Sequence, residues 1–161
     1  MRNENADVAR FMERAIELAL DNVRSGRGGP FAALVVRAGS ILAEGTNVVT
    51  STNDPTAHAE IVAIREACKK LRRFELSNCE IYATCEPCPM CLGAICWAHP
   101  ARIYFAATSA DAAKIGFDDS LIYDQLKKTV EARTIPMSQL MREVALKVFR
   151  VWEEKPDKVP Y

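Results

Sequence analysis

The chain holds only two histidines, and one of them stands in a setting that suggests chemistry. In the stretch DPTAHAEI, His58 lies two residues before Glu60, at the predicted start of a helix. Side chains at positions i and i+2 point to different faces of a regular helix, so the two do not form a pair on its surface. They can serve one site if that site lies off the helix end, within reach of the first turn. The pair therefore predicts such a site, provided that other reactive side chains arrive there.

A pair of cysteines stands at a second predicted helix start. Cys88 and Cys91 in EPCPMC are three residues apart, and Pro89 is suited to the first helical position, so both sulphurs can project from the first turn. The helix dipole favours thiolates at that place. If the strands that precede the two helices are neighbours in one sheet, both helix starts lie at the edge where open α/β sheets bind ligands. We therefore predict that His58, Cys88 and Cys91 share one site.

One histidine and two cysteines predict a zinc site of the catalytic kind. Structural zinc sites are normally closed by four protein ligands, whereas catalytic sites keep the fourth position for water. Glu60, which is not needed as a ligand, would then move protons to and from that water. For the other four cysteines we predict core packing, because a buried thiol behaves as a small hydrophobe. These are Cys68, Cys79, Cys85 and Cys96, of which Cys85 remains open as a fourth ligand.

The elements that must position these residues follow from hydrophobic periodicity. Helical spacing predicts a first helix from Asn5 to about Val23, and apolar runs on either side of Ala38–Gly39 predict a β-hairpin. Asp54–Pro55 suits the N-cap and first residue of the second helix. The later predicted elements are the strand CEIYATCE, the short helix CPMCLGAICWAH, the strand RIYFAATS, the helix FDDSLIYDQLKK, a candidate last strand TIPMSQLM and a helix around Val148. This alternation predicts a three-layer α/β domain with a mixed sheet.

Composition limits the classes of function. The 161 residues, 49% hydrophobic and 26% charged, suit one soluble globular domain. No apolar run reaches the roughly 20 residues of a membrane span, and the polar start MRNENADVAR predicts a cytoplasmic protein with reduced cysteines. The formal net charge is zero, which disfavours a nucleic-acid partner, because phosphate binding needs a basic excess or face. The basic cluster KKLRR is better explained as the complement of a helix dipole.

Three segments resemble a known family. They are NVVTSTNDPTAHAEIVAIREACKKL, IYATCEPCPMCLGAICWA and DAAKIGFDDSLIY, and they resemble the cytidine deaminase superfamily and, within it, the bacterial guanine deaminases. H-x-E followed by P-C-x-x-C is the signature of the zinc nucleobase deaminases. The resemblance implies a cytidine-deaminase-like fold of three layers, with a five-stranded mixed sheet between helices, as a single domain over residues 1–161. It also implies homodimers in which a C-terminal segment, roughly residues 135–161, is swapped between subunits.

The same resemblance implies an activity and a role for each site residue. The activity is the Zn²⁺-dependent hydrolysis of guanine, a small purine base, to xanthine and ammonia in purine salvage or catabolism. His58, Cys88 and Cys91 match the zinc ligands, Glu60 matches the proton shuttle, and Asp119 matches a second catalytic acid near the exocyclic amine. The positions that match substrate-binding residues are Phe31, which packs on the base, Asn47, which hydrogen-bonds the purine, Ala59, and Tyr161, which closes over the site.

Three other interpretations stay open. A guanosine deaminase is similar around EACKKL and CEPCPMC, and the sequence does not decide whether the ribose fits. A tRNA-specific adenosine deaminase resembles this chain in DPTAHAEI and EPCPMC, but it must hold an anticodon loop, which the neutral charge and the GFDDS segment disfavour. A zinc-stabilised binding module without catalysis would need a closed metal site, with a residue such as Cys85 as the fourth ligand.

Overall fold

The structure, a computed structural model, describes the backbone of residues 4–160 and the side chains of residues 6–160. Its strands are β1 (Ala32–Arg37), β2 (Ser40–Thr46), β3 (Cys79–Cys85) and β4 (Arg102–Ala107). Its helices are α1 (Glu4–Arg24), α2 (Val49–Thr52), α3 (Ala59–Leu71), α4 (Pro89–Ala98), α5 (Ser109–Lys114), α6 (Ser120–Lys127) and α7 (Arg142–Glu154), with a 3-10 helix at Val130–Ala132. Over the described residues, none of these helices has the length and apolar character that crossing a bilayer requires.

The four strands form one mixed sheet in the order β2-β1-β3-β4. β1 pairs antiparallel with both β2 and β3, and β3 pairs parallel with β4. The mixed sheet is as predicted, but the expected count of five strands is wrong. The candidate last strand, residues 134–141, has no regular structure, and Pro136 within it lacks the N–H that a ladder position requires.

Strand alternation builds a separate apolar core on each face of the sheet. On β1, Ala33 and Val35 pack with α3 and α4 on one face, whereas Leu34 and Val36 pack with α1 on the other. Successive side chains of a strand point to opposite faces, so a strand that is apolar at every position is buried on both. The predicted three-layer arrangement, with helices on both faces of the sheet, is therefore confirmed.

The helix that carries His58 and Glu60 lies unusually close to the sheet. A Cβ atom at Gly45 of β2 would be 2.3 Å from the carbonyl oxygen of Ala59 and 2.5 Å from the backbone nitrogen of Ala63. Only glycine permits this approach, because any other side chain would push α3 away. The start of this helix was predicted wrongly. Asp54 does not cap it, because its carboxylate accepts the Thr56 N–H at 2.8 Å and forms a turn, and α3 begins five residues later.

Two strand directions bring the predicted helix starts together. The strands before α3 and α4 are β2 and β3, which are not neighbours, because β1 lies between them. Both run antiparallel to β1, so β2 and β3 run in the same direction and end at the same edge of the sheet. α3 and α4 then begin at that edge and contact each other. The ligand-binding edge that the sequence predicts therefore exists, with one strand between the two that lead to it.

The chain divides into two compact units, Met1–Asp119 and Ser120–Tyr161. The first unit contains the whole sheet, α1 to α5 and both apolar cores. The second contains α6, the 3-10 helix and α7, and none of its described residues is buried. The predicted helices at the start of the chain, after Cys88 and around Val148 are confirmed, whereas α2 and α5 were not predicted.

Candidate active site

Three potential metal ligands converge where α3 and α4 begin. The Nδ1 atom of His58 lies 3.6 Å from the Sγ atom of Cys88 and 3.5 Å from that of Cys91. All three donor atoms lie within 4.8 Å of one another. Cys91 is fully buried, whereas His58 and Cys88 are partly exposed. The structure thus places together the three residues that the sequence predicted to share one site.

The local backbone explains why these side chains face a common point. His58 is the N-cap of α3 and Cys88 is the N-cap of α4, both with extended backbone angles. Neither side chain caps its helix through a hydrogen bond, so the imidazole and the thiol remain available as donors. Cys91 lies one turn into α4, and the parallel pairing of β3 with β4 aims that helix at the same edge. The site therefore does lie off two helix ends.

The spacing of the donor atoms fits a tetrahedral metal ion. With bonds of about 2.0 Å to nitrogen and about 2.3 Å to sulphur at the tetrahedral angle, two such ligand atoms lie about 3.6 Å apart. The two observed nitrogen–sulphur distances agree with that value. Among the described residues, no other histidine, cysteine or acidic residue joins the group as a fourth donor. Three protein donors with one position left over is the arrangement of catalytic rather than structural zinc sites.

The open question about Cys85 has a clear answer. Cys85 is buried at the end of β3, and its thiol contacts the backbone oxygen of Thr108 at 3.5 Å. It is not part of the donor group. Burial raises the pKa of its thiol, which favours the neutral, non-ligating form. Of the remaining three cysteines, Cys79 is buried and Cys68 is half-buried, but Cys96 is exposed, so the core-packing prediction for Cys96 is wrong.

The pKa values of the two cysteines of the group are shifted in opposite directions. The pKa of Cys88 is lowered to about 4, first by its hydrogen bond with Cys91 and also by its contact with His58. The same bond with Cys88, followed by burial, raises the pKa of Cys91. The contact with Cys88 also raises the pKa of His58. One thiolate is therefore present near neutral pH, and the site is electrostatically prepared for a cation.

Glu60 stands beside this group without belonging to it. Its side chain is buried in the first turn of α3, and its Oε2 atom accepts a hydrogen bond from the Cys91 thiol at 3.5 Å. Burial is the main cause that raises its pKa above the ordinary value of 4.5. A carboxylate with a raised pKa is a stronger base and holds a proton more readily. Glu60 is thus placed to exchange protons with a molecule at the metal position.

A cavity of about 490 Å³ opens next to these residues. This volume is within the range of roughly 300–1,000 Å³ that is typical of small-molecule sites. Its lining includes seven of the residues that the sequence singled out, namely Phe31, Asn47, His58, Ala59, Glu60, Cys88 and Asp119. Cys91 is not in the lining and reaches the site through its sulphur. The last predicted site residue, Tyr161, lies outside the described residues.

Asn47 presents one end of its amide to the cavity. The side chain is almost fully buried, and its Oδ1 atom accepts the backbone N–H of Val49 at 3.3 Å. That contact identifies the oxygen, because a backbone N–H needs an acceptor. Within the described residues the Nδ2 group makes no hydrogen bond to protein, so its two donors remain available to an acceptor in the cavity.

Aromatic rings and a second acid complete the lining. Phe31 packs edge-to-face against Phe117, with ring centroids 4.8 Å apart and an interplanar angle of 88°. Burial, followed by the charges of Cys88, Asp118 and Glu86, raises the pKa of Asp119. A carboxyl group with a raised pKa holds a proton more readily, so Asp119 can carry one beside a small molecule in the cavity. The cavity therefore combines apolar walls with a few polar groups, as small-molecule sites do.

The sequence pattern did not indicate several lining residues. Phe117 lies inside the GFDDS segment and Glu86 begins the EPCPMC motif, but neither was assigned a role in the site. The Oε2 atom of Glu86 accepts the backbone N–H of Ser109 at 3.1 Å. Three lining glycines, Gly26, Gly28 and Gly29, follow the predicted end of the first helix at about Val23, and they were assigned no role in the site. Proximity to the motifs could have indicated Glu86 and Phe117. Gly28 and Gly29 approach Asn47 closely, and no local pattern reveals these contacts.

Comparisons with known proteins agree with this geometry. Residues 5–107 match the family model of the cytidine and deoxycytidylate deaminase zinc-binding region. Guanine deaminase of Bacillus subtilis is 51% identical over 151 residues, which cover 94% of this chain and 97% of that protein. The crystal structure of guanine deaminase from Bacillus subtilis superposes with a TM-score of 0.92 at 49% identity, covering 100% of this chain and 99% of the other. A tRNA-specific adenosine deaminase of Haemophilus influenzae is 38% identical over 125 residues, or 74% of this chain and 72% of that protein.

Proposed function

We propose that this chain, which belongs to the cytidine and deoxycytidylate deaminase family, hydrolyses guanine to xanthine and ammonia. The observation that carries the proposal is a three-donor site beside a buried carboxylate, at the wall of a cavity sized for a small molecule. The similarity over nearly the full length of a guanine deaminase supports guanine as the substrate. The shorter and weaker similarity to a tRNA deaminase supports the shared chemistry more than a shared substrate.

His58, Cys88 and Cys91 hold zinc in this proposal. Nitrogen and thiolate donors suit that ion, and the donor spacing fits its tetrahedral geometry. Bound there, zinc supplies hydroxide near neutral pH, because it lowers the pKa of water from about 15.7 to about 7. The absence of a fourth protein ligand among the described residues disfavours the non-catalytic binding module.

Glu60 carries the protons of the reaction. Addition of water across the C2–N3 bond of guanine needs a base that removes a proton from water and an acid that delivers one to N3. Glu60 can perform both steps, because its raised pKa lets the buried carboxyl hold the proton between them. The bond from C2 to the exocyclic nitrogen then breaks as that nitrogen is protonated. Glu60 takes the proton of the new C2 hydroxyl and passes it to this nitrogen, with help from Asp119, as the C2 carbonyl forms, and ammonia and xanthine are the products.

The recognition residues orient the base for this attack. The free Nδ2 group of Asn47 donates a hydrogen bond to an acceptor atom of the purine. Phe31 packs against the ring, and its edge-to-face contact with Phe117 holds its own ring in place. Ala59, with its small side chain at the first position of α3, leaves room for the base beside the metal position. Holding the base in one orientation lowers the entropic part of the barrier.

A homodimer is part of the proposal. The C-terminal helix α7 exposes a series of large apolar side chains, namely Val144, Val148, Phe149, Val151 and Trp152. Exposed apolar patches of this kind mark interaction surfaces, and a second copy of the chain is the partner that the resemblance to dimeric relatives implies. Light scattering of the purified protein should give twice the mass of the chain. A monomer at micromolar concentration would contradict this part of the proposal.

A substrate panel tests the proposed reaction. Zinc-loaded protein is mixed separately with guanine, guanosine and a tRNA anticodon stem-loop, and both ammonia and the second product are identified. Xanthine from guanine alone is the expected result. Turnover of only guanosine or only RNA would leave the zinc chemistry standing and contradict the substrate. Ammonia from none of the three, with zinc bound, would support the binding module instead.

A further inference from the structure

Asn22 is a fully buried polar side chain for which the proposed reaction has no use. It lies on α1, two residues before the helix ends, and it does not line the cavity. Burial of an amide is tolerated only where hydrogen bonds replace those lost to water. The partners of this amide therefore indicate what it does.

The amide of Asn22 joins two separate segments of the site wall. Its Nδ2 group donates to the carbonyl oxygen of Gly29 at 2.9 Å and to that of Asn47 at 2.8 Å. Both partners are acceptors, so the atom that faces them has to be the nitrogen. The same two segments are also linked directly, because the Asn47 N–H donates to the carbonyl of Phe31 at 3.0 Å. The Asn22 side chain thus holds the backbone at Gly29 and at Asn47, close to the hydrogen bond that joins Asn47 to Phe31.

The backbone of Asn47 is confined from a second direction by Gly28. A Cβ atom at Gly28 would lie only 2.0 Å from the Asn47 carbonyl oxygen, so the glycine loop, residues 26–29, packs closely against that oxygen. The carbonyl that accepts the Asn22 hydrogen bond is therefore also packed against the Gly28 backbone. The position of the Asn47 amide in the cavity depends on these contacts, because within the described part of the chain its side chain makes a hydrogen bond only with the Val49 N–H.

Asn22 acts through its donor group alone. Its Oδ1 atom is buried and has no hydrogen-bond partner among the described residues. If filling space were its only task, an apolar residue of similar size would do so without an unpaired oxygen. The unfavourable burial of this unpaired oxygen is tolerated because the two hydrogen bonds that Asn22 donates are needed.

We propose that Asn22 is a positioning residue, which fixes Asn47 and the glycine loop and so sets the affinity for the purine base. The inference rests on the proposed deamination of guanine, and it adds to that function a residue outside the cavity. Asn22 touches neither the metal position nor the substrate. Its loss should therefore change how well the base binds and leave the chemical step nearly intact.

Asn22→Leu tests this role, because leucine has a similar volume and no donor. We expect KM for guanine to rise about fivefold while kcat changes by less than about twofold and zinc content stays at the wild-type level. In an Asn47→Ala background, the same substitution should change KM by less than about twofold, since the residue through which it acts is gone.

Leu18→Ala provides the matched control. Leu18 lies one turn earlier on α1 and packs against the core on that face of the sheet. Its truncation should lower Tm and leave KM unchanged. Asn22→Ser, whose hydroxyl can donate one of the two hydrogen bonds, should give an intermediate KM. It provides the test if the leucine variant does not fold.

The outcomes separate the inference from the proposed function. A KM within about twofold of wild type in both Asn22 variants would overturn the inference and leave the amide a purely structural contact. Changes in KM that are as large in the Asn47→Ala background as in wild type would also overturn it. A wild-type protein that is inactive on guanine would contradict the proposed function itself, and the inference with it.

Discussion

The two halves of the cavity wall are built in different ways. The reactive half consists of His58, Glu60 and Cys88, together with Cys91, whose sulphur reaches the same site from outside the lining, and all four lie at the starts of two helices that begin at one sheet edge. The recognition half consists of Phe31, Asn47 and the glycine loop at residues 26–29, and it is held by backbone carbonyl contacts. The function of the reactive half therefore depends on the chemistry of its side chains. The function of the recognition half depends on where its backbone is held. Substitutions in the first should act on kcat and metal binding, and those in the second on KM.

The largest expected effect follows from loss of a metal ligand in the reactive half. Cys91→Ser replaces a fully buried sulphur that lies 3.5 Å from both the His58 nitrogen and the Glu60 carboxylate. We expect the purified variant to hold much less than one zinc per chain and to release no measurable ammonia from guanine. Metal analysis and an ammonia assay measure the two effects. The control is Cys96→Ser, at an exposed cysteine, which should retain both zinc and activity. Full zinc content and full activity in the Cys91 variant would refute the ligand assignment.

Glu60→Gln should separate proton transfer from metal binding. The amide keeps the size of the side chain and removes its basicity, so kcat should fall by about a hundred- to ten-thousandfold while zinc stays bound. The matched control is Glu86→Gln, because that carboxylate also lines the cavity but accepts the Ser109 N–H, which an amide oxygen can still do. Its kcat should stay within about tenfold of wild type. Equal losses in the two variants would argue against a special role for Glu60.

Asn47→Ala should give the characteristic effect of the recognition half. Loss of one hydrogen bond to the base should raise KM about tenfold, with kcat within about threefold of wild type and zinc unchanged. Steady-state kinetics with guanine measures this split. Ser51→Ala, at an exposed position in the short helix that follows, serves as the control and should change neither constant. A fall in kcat without a change in KM would mean that the two halves are not distinct in function.

The smallest expected effect concerns Asp54, in the turn that connects the two halves. Hydrogen bonds from the Thr56 side chain and backbone lower its pKa below the ordinary value of 3.8. A lowered pKa contributes stability that is present above 3.8 and is lost as the pH falls through the folded value. Asp54→Asn does not titrate, so its deficit in unfolding free energy should shrink between about pH 6 and about pH 3. Urea titrations measure the difference, and a deficit independent of pH would show that the carboxylate charge is not involved.

The sequence was informative about the reactive half because its geometry is local. H-x-E and C-x-x-C each fix two side chains on one helix start, and strand direction then brings the two starts to one edge. The proposed ligand set and the proposed role of Glu60 therefore follow from residue types and spacing. The start of α3 was misplaced, because the side chain of Asp54 closes a turn of its own, which competes with capping a helix.

The recognition half could not be found in this way. Phe31 and Asn47 were identified only by resemblance to a family, and Asn22 and Phe117 were missed, because their importance comes from contacts with residues distant in sequence. An asparagine near a helix end carries no local sign that its amide binds a carbonyl 25 positions away. A fifth strand was expected both from the apolar stretch TIPMSQLM and from the family, whereas the described chain forms four.

Hydrolysis of guanine in water enriched in oxygen-18 tests the central claim most directly. If water adds at C2 and the amine departs, each xanthine molecule acquires one labelled oxygen at C2 and one ammonia is released with it. Mass spectrometry of the product from a single turnover measures both the label and its position. Xanthine labelled at C2, formed by the wild type at least about a hundredfold faster than by Glu60→Gln, is the predicted result. Unlabelled product, or labelled xanthine formed at equal rates by the two proteins, would contradict hydrolytic deamination by the reactive half.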